Sequence, residues 1–222
     1  MKVLALDTAM NAGSVAVADG PDILSCVTEP NSRTLAERLM PMVEQALDAA
    51  GLGYADLDRL GVTIGPGTFT GMRIGMSAAR AMALASGLPL VGLSTLEVIA
   101  RQAADAHPSE NTITVCFDAR RNEAYIQAFD CVGGDVTAAG DPAILPVDQV
   151  RDQLAGFDGL VVGSGVPLVA DMPGLRVGEG FDGIDVATLA SLSLDRPVPD
   201  HLPDPLYIRA PDAKLPGGKD PG

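Results

Sequence analysis

The sequence predicts an α/β protein built from two related halves. One observation is a near repeat: a buried strand ending in aspartate, a hairpin, a helix and a further strand follow from Lys2 and again from Thr112. A second is composition, because 47% apolar and 20% charged residues in 222 are typical of a chain with a sizeable core. We expect an N-terminal lobe over 1–107, a C-terminal lobe over 108–185, and a segment near 186–210 that completes the first lobe.

Residue periodicity places the elements of the first half. Apolar runs bounded by turns predict five strands: Lys2–Asp7, Ser14–Ala18, Ile23–Val27, Leu60–Ile64 and Leu88–Gly92. Helical spacing of apolar residues predicts two helices that end before a glycine: Leu35–Ala50 and Gly71–Ser86. Pro41 lies inside the first of these patterns, so we expect a kink there or a helix that starts nearby. A capping box, Ser94-Thr95-Leu96-Glu97, opens a third helix that runs to about Ala106.

The second half follows the same plan and then ends in a tail. Three strands are predicted: Thr112–Phe117, which ends at Asp118, its hairpin partner Ala124–Phe129, and Leu160–Gly163. Two helices are predicted: Val147–Leu154 and Val186–Leu192. Prolines and glycines after Arg209 predict a flexible tail over 211–222.

Charge and cysteine content narrow the functional classes. A net charge of −14 repels phosphate backbones, so we expect no tight binding of RNA or DNA by the chain alone. The amino end lacks the pattern of a signal peptide, and no apolar run reaches the length of a membrane span. Cys26, Cys116 and Cys131 are far apart, so we expect three small buried residues in a reducing, cytoplasmic protein.

Five collinear stretches resemble the bacterial TsaB (YeaZ-like) family: LALDTAMNAGSVAVA, GPGTFTGMRIGMSAARAMA, GLSTLEVIA, CFDARRNEAYIQAF and PLYIRAP. The resemblance runs from Met1 to about Pro211. It implies a two-lobed actin/hexokinase/Hsp70-like fold of duplicated ribonuclease H-like lobes. It also implies a non-catalytic subunit that helps to install threonylcarbamoyl on the tRNA adenosine beside the anticodon. The implied partners are a TsaD-like catalytic subunit and a TsaE-like ATPase, with a homodimer when isolated and tRNA reached only indirectly.

The residues argue against a working nucleotide site. The glycine-rich block Gly65–Gly75 lacks the lysine of a Walker loop, and its glycine spacing is one residue too long for a dinucleotide fingerprint. Active members of the actin/hexokinase superfamily carry Asp-x-Gly at each first hairpin, whereas this chain has Asp7-Thr8-Ala9 and Asp118-Ala119-Arg120. We interpret Asp7 and Asp118, with the turn glycines Gly163 and Gly165, as a vestigial site that binds ATP or ADP weakly at most, in a complex. The alternative that stays open is a nucleotide-dependent small-molecule kinase or ATPase.

Metal and nucleophile patterns are also missing from the sequence. The two histidines, His107 and His201, are far apart and neither has a second ligand at metal-binding spacing, so no metal is expected. We name no catalytic residue. Arg120 and Arg121 are expected at a solvated hairpin tip, with contact to a partner as the alternative.

Two helices carry more apolar residues than one buried face needs. We expect one face of the second helix to pack against the sheet, which leaves a second stripe for a partner. The sheet-facing residues are Gly71, Ile74, Gly75, Ala78, Ala81, Met82 and Ala85. The predicted partner interface comprises Met40, Val43, Leu47, Met72, Met76, Ala79 and Ala83. Methionine suits an adaptable helix–helix contact, and the family resemblance implies pairing through the same two helices.

Overall fold

The computed structural model describes residues 1–10, 12–30 and 34–209, and its strands form two mixed sheets. The first sheet has the order β3-β2-β1-β4-β5, in which β1 pairs antiparallel with β2 and parallel with β4. Its strands are β1 (Lys2–Asp7), β2 (Gly13–Asp19), β3 (Asp22–Glu29), β4 (Arg59–Gly65) and β5 (Leu90–Ser94). All five strands predicted for the first half are confirmed.

The second sheet has the order β11-β10-β6-β7-β8, with β9 paired to the other end of β7. Its strands are β6 (Thr112–Arg120), β7 (Glu123–Val132), β8 (Asp135–Ala138), β9 (Ala143–Pro146), β10 (Leu160–Val162) and β11 (Arg176–Val177). The antiparallel β6–β7 hairpin and the parallel β6–β10 pair repeat the arrangement around β1. The predicted duplication is therefore present in the topology.

Five α-helices connect the strands: α1 (Leu35–Ala50), α2 (Phe69–Ser86), α3 (Thr95–Ala106), α4 (Val147–Leu154) and α5 (Val186–Asp195). Gly51 and Gly87 end α1 and α2 in the left-handed conformation, as their positions predict. α2 begins two residues earlier than predicted because Thr68 caps it, its hydroxyl accepting from the Gly71 N–H at 3.2 Å. No helix in the described part of the chain combines the length and apolar character needed to cross a membrane.

The helices cover both faces of each sheet. Alternation along β1 directs Leu4 and Leu6 toward α1 and α2, and Ala5 toward α5. In the second sheet, α3 packs on one face and α4 on the other. The exception to the predicted burial is Cys26, which is exposed because β3 is an edge strand; Cys131 is half-buried and Cys116 is buried. The prediction of three buried cysteines is therefore wrong for two of them.

The residues that follow α5, 197–209, form an extended segment that we call the strap. It lies along α2, where the Arg80 guanidinium donates to the Pro203 carbonyl at 3.1 Å. It then runs beside the end of β4, where the Leu206 N–H donates to the Ile64 carbonyl at 2.8 Å. At its end the Arg209 guanidinium donates to the Ala119 carbonyl, at 3.0 Å, in the β6–β7 hairpin. The strap thus joins the first sheet to the second.

Candidate functional site

The glycine-rich block lets the β1–β2 loop lie directly against the start of α2. A Cβ atom added at Gly67 would lie 2.3 Å from the Ala9 carbonyl oxygen, and one at Gly71 would lie 2.0 Å from the Thr8 carbonyl oxygen. At Gly75 it would lie 2.3 Å from the Thr8 hydroxyl. Because no side chain fits at these distances, glycine is required for the loop and the helix to approach so closely.

Hydrogen bonds hold this loop on the helix. The Thr8 hydroxyl donates to the Gly71 carbonyl at 2.7 Å, and the Thr68 N–H donates to the Ala9 carbonyl at 2.7 Å. A helix start that binds phosphate directs its backbone N–H groups at the ligand. Here the first turn of α2 is packed against protein backbone instead, so the glycines serve packing in this structure.

Asp7 lies at the carboxyl end of β1 and is buried. Its Oδ1 atom accepts from the Thr63 hydroxyl at 2.6 Å and from the Ala9 N–H at 3.1 Å. Burial raises the pKa of the Asp7 carboxyl to about 6, and the two hydrogen bonds oppose that rise without cancelling it. The carboxylate is therefore engaged inside the first lobe, between β1 and β4.

The second predicted aspartate occupies a more open position. Asp118 accepts from the Arg120 N–H at 2.8 Å and forms an ion pair with the Arg120 side chain at 3.4 Å. The Asp118 N–H donates to the Ser164 hydroxyl at 3.2 Å, which ties the end of β6 to the turn after β10. The structure thus brings Asp118 and the Gly163–Gly165 turn together.

Both turn glycines are needed for this approach. A Cβ at Gly163 would lie 2.5 Å from the Cys116 carbonyl oxygen, and one at Gly165 would lie 2.7 Å from the Cys116 sulfur. Gly163 also has a φ of +105°, which side chains rarely adopt. The turn therefore packs against β6, and its glycines have a structural reason that requires no nucleotide.

The tip of the β6–β7 hairpin contains three consecutive residues with left-handed backbone. Arg120, Arg121 and Asn122 have φ values of 65°, 57° and 61°, and all three are exposed. Residues other than glycine pay about 1 kcal/mol or more each in this region. The exposure agrees with the predicted solvated tip; contact with a partner stays a prediction.

The predicted partner interface is largely wrong, because most of its residues lie in the core. Six of them are at most 5% exposed: Val43, Leu47, Met72, Met76, Ala79 and Ala83. All of these except Met72 belong to one core cluster with residues of the first sheet. Met40 alone among the predicted set is exposed, at 39%. The stripe of α2 that the sequence predicts for a partner faces the sheet instead, as Met76, Ala79 and Ala83 show.

The error in the predicted rotation of α2 has a physical cause. Every side of α2 carries alanine, glycine or methionine, so hydrophobic periodicity alone does not fix its rotation. Methionine fills the space above a sheet, while glycines Gly71 and Gly75 are used at the edge, against Thr8. Gly71, Gly75 and Met82 are still buried, whereas Ala81 and Ala85, from the same predicted face, are exposed.

A groove of about 490 Å³ lies on the surface between α1 and α2. Its lining is mostly apolar or small: Ala36, Leu39, Met40, Phe69, Thr70, Arg73, Ile74, Ser77 and Ala78. Except for Met40, these residues are absent from the predicted interface. Phe69 was missed because the helix was expected to start at Gly71, and the Thr68 capping signal would have included it.

Comparison with known proteins identifies the family. The model described as TsaD, tRNA N6-adenosine threonylcarbamoyltransferase, matches residues 25–164. A Haemophilus influenzae protein named tRNA threonylcarbamoyladenosine biosynthesis protein TsaB is 37% identical over 125 residues, which is 56% of this chain and 52% of that protein. A solved Pseudomonas aeruginosa structure, described as similar to peptidase YeaZ, has a TM-score of 0.80 at 28% identity and covers 94% of this chain and 99% of its own. The chain belongs to the TsaB/YeaZ family, and with it to the wider family that the TsaD model describes.

The fold of this TsaB/YeaZ family member is that of the actin/hexokinase superfamily. A ROK hexokinase from Thermus thermophilus shares it with a TM-score of 0.50 at 18% identity, covering 87% of this chain and 97% of the hexokinase. The predicted two-lobed fold class is confirmed. The chain spans about half the length of the curated TsaB relatives it matches, as in the 52% of the Haemophilus protein.

Within the family fold, Asp7 and Asp118 stand at equivalent ends of β1 and β6, in different sheets. Among the described residues, no group of three or more histidine, cysteine, aspartate or glutamate side chains is placed to hold a metal ion. The α1–α2 groove of this TsaB/YeaZ family member is mostly apolar and open to solvent.

Proposed function

We propose that the chain is a non-catalytic, partner-binding subunit of the cytoplasmic assembly that makes threonylcarbamoyladenosine in tRNA. Its partner is a TsaD-like catalytic subunit, which docks on α1 and α2. A TsaE-like ATPase is the third member, and tRNA is bound mainly through the partners. The isolated chain pairs with a second copy through the same helices.

The observation that carries this proposal is the apolar α1–α2 groove. Exposed apolar grooves between helices suit a helix of another protein, whose side chains fill the groove and remove its lining from water. The match to the TsaD family model supports the choice of partner, because a related subunit would present a related pair of helices. Two related subunits can then pair through equivalent helices, in the same way as two copies of one chain.

The absence of catalysis is supported by how the two aspartates are used. Asp7 is buried and bonded to Thr63, while Ala9 and the first turn of α2 are packed together. A small-molecule kinase or ATPase would need this loop to cradle a phosphate. Nucleotide bound at Asp118 and the Gly163–Gly165 turn is at most weak and belongs to the assembled complex.

Co-purification with a TsaD homologue from the same cell tests the proposal. Ala78 is half-buried in the groove lining, so Ala78→Arg should block docking and lower the recovery of the partner at least about tenfold. Ala49→Arg is the matched control, since Ala49 is exposed on α1 and does not line the groove.

Thermal unfolding of both variants establishes that each is folded. Normal recovery of the partner with folded Ala78→Arg would show that docking occurs elsewhere. Loss of the partner with both variants would show a general effect of added charge and would also contradict the proposed surface.

A further inference from the structure

Arg73 differs from the arginines around it. Most described arginines form hydrogen bonds or ion pairs, as Arg80 does with Asp204 and Arg209 with Glu123. Within the described residues, the guanidinium of Arg73 makes neither; its carbon lies over the Phe69 ring, 3.9 Å from the ring centre. A guanidinium stacked by its face keeps its edge N–H groups available as donors.

Two exposed aromatic rings meet at this position. Phe69 is 56% exposed and Tyr207 is 47% exposed, in a chain with five phenylalanines, three tyrosines and no tryptophan. Their ring centres are 6.0 Å apart. Aromatic residues and arginine are the residues enriched at the points of protein interfaces that contribute most to binding. We call Phe69, Arg73 and Tyr207 the aromatic corner.

The strap holds the aromatic corner in place. Tyr207 follows Leu206, whose N–H donates to Ile64, and precedes Arg209, which bonds to the β6–β7 hairpin. Both neighbours fix the backbone on either side of the Tyr207 ring. A segment whose backbone is already held, and a guanidinium already placed over a ring, lose less conformational entropy on binding than mobile groups do.

The charge of the groove indicates what the corner accepts. Of the described residues that line it, Arg73 alone is charged, although the chain has 29 acidic and 15 basic residues. Phe69 and Arg73 are part of the groove lining, so whatever fills the groove meets them. A guanidinium edge pairs best with a carboxylate, through two parallel hydrogen bonds.

We propose that the aromatic corner is the anchor of the docking surface and that its Arg73 binds a carboxylate on the helix that the TsaD-like subunit lays in the α1–α2 groove. This rests on the proposed function and adds to it the chemistry of the partner: an apolar helix face with an aspartate or glutamate at the end nearest the strap. The same residue makes the surface selective, because a partner without that carboxylate leaves Arg73 desolvated and unpaired.

Binding measurements with the TsaD homologue from the same cell test this anchor. Arg73→Gln removes the charge and should weaken binding about tenfold or more. Arg73→Lys keeps the charge but loses the planar fork and most of the stacking, so it should also weaken binding several-fold, by roughly half of that effect in logarithmic terms. Arg151→Gln is the matched control, because Arg151 forms an exposed ion pair with Asp171 on the second lobe and should bind as the wild type does.

A charge exchange identifies the carboxylate itself. In the background of Arg73→Glu, aspartates and glutamates of the partner's groove-filling helix are changed one at a time to arginine. Restoration of binding by one of these changes, and of no other, is the expected result. Thermal unfolding of each variant shows that the fold is retained, as the exposure of Arg73 leads us to expect.

Three results would overturn the anchor. The first is that folded Arg73→Gln binds within twofold of wild type while Ala78→Arg loses the partner. The groove would then still be the docking surface, but the aromatic corner would not be its anchor. The second is loss of self-association alone, with the TsaD homologue bound normally. The third is normal protein binding with reduced tRNA binding by the complex, which would make the corner an RNA contact.

Discussion

At the scale of single residues, the two predicted aspartates make different contacts in the fold. Asp7 accepts hydrogen bonds from Thr63 and Ala9 inside the protein. Asp118 pairs with Arg120 in its own hairpin. The sequence identified both residues by their place at the end of a strand. The Thr63 partner of Asp7 could not be predicted from the sequence, because Thr63 lies on a different strand.

Asp7 should make the stability of the protein depend on pH. Its pKa is raised to about 6 in the fold, whereas an unfolded aspartate titrates near 3.9. Between these values the folded state holds a proton that the unfolded state releases, so this contribution to stability is present below about pH 4 and is lost as the pH rises to about 6. The expected loss is on the order of 3 kcal/mol.

Asp7→Asn tests this by removing the ionisation while keeping an oxygen that accepts both hydrogen bonds. Its free energy of unfolding should resemble that of the wild type near pH 4 and exceed it progressively up to pH 6, with a constant difference above. Urea unfolding of both proteins from pH 4 to pH 8 measures the difference. A difference that does not change with pH would show that Asp7 ionises normally in the fold.

At the scale of elements, the sequence predicted which segments are helices and strands better than which way they face. β1–β7, β10 and all five helices follow from apolar periodicity and glycine stops. The short edge strands β8, β9 and β11 were missed because two to four residues are too few for a period to show. β10 is as short, but its uninterrupted apolar run between Gly159 and Gly163 marked it. The groove was missed because the rotation of α2 depends partly on contacts with β1 and α1, which are far away in sequence.

The rotation of α2 predicts opposite effects for two of its apolar side chains. Met76 is buried against the first sheet, so Met76→Ala should leave a cavity and cost about 2–4 kcal/mol of stability. Leu84 is 75% exposed, and Leu84→Ala should change stability by less than about 0.5 kcal/mol. Chemical denaturation measures both. Full stability of Met76→Ala together with impaired partner binding would restore the interface first predicted from the sequence.

At the scale of the whole molecule, charge sets what the protein binds by itself. Its 29 acidic and 15 basic residues give a net charge of −14, and affinity for RNA depends on replacing counterions with basic side chains. The described arginines are, moreover, mostly paired with acids of the same chain, as Arg38 is with Glu29 and Arg176 with Glu110. We therefore expect any tRNA contact of the proposed assembly to depend mainly on its other members.

We expect the isolated protein to bind tRNA with a dissociation constant weaker than roughly 10⁻⁴ M at physiological salt. Fluorescence anisotropy with labelled tRNA measures it, and adding the TsaD homologue should restore binding. Micromolar affinity of the lone protein would contradict the argument from charge and would direct attention to the arginines of the β6–β7 tip.

Because the polypeptide is synthesised from its amino end, the first sheet is made well before α5, the helix that covers one of its faces. β1 to β5 are complete before the second sheet is made, but α5 follows only after β11. Until Leu189 and Ala190 have left the ribosome, Ala5, Val91 and Leu93 lie on a sheet face without its cover. Because, among the described residues, only Val98 of α3 covers part of that face before then, we expect a fragment that ends before α5 to expose apolar surface and to aggregate more readily than the full chain.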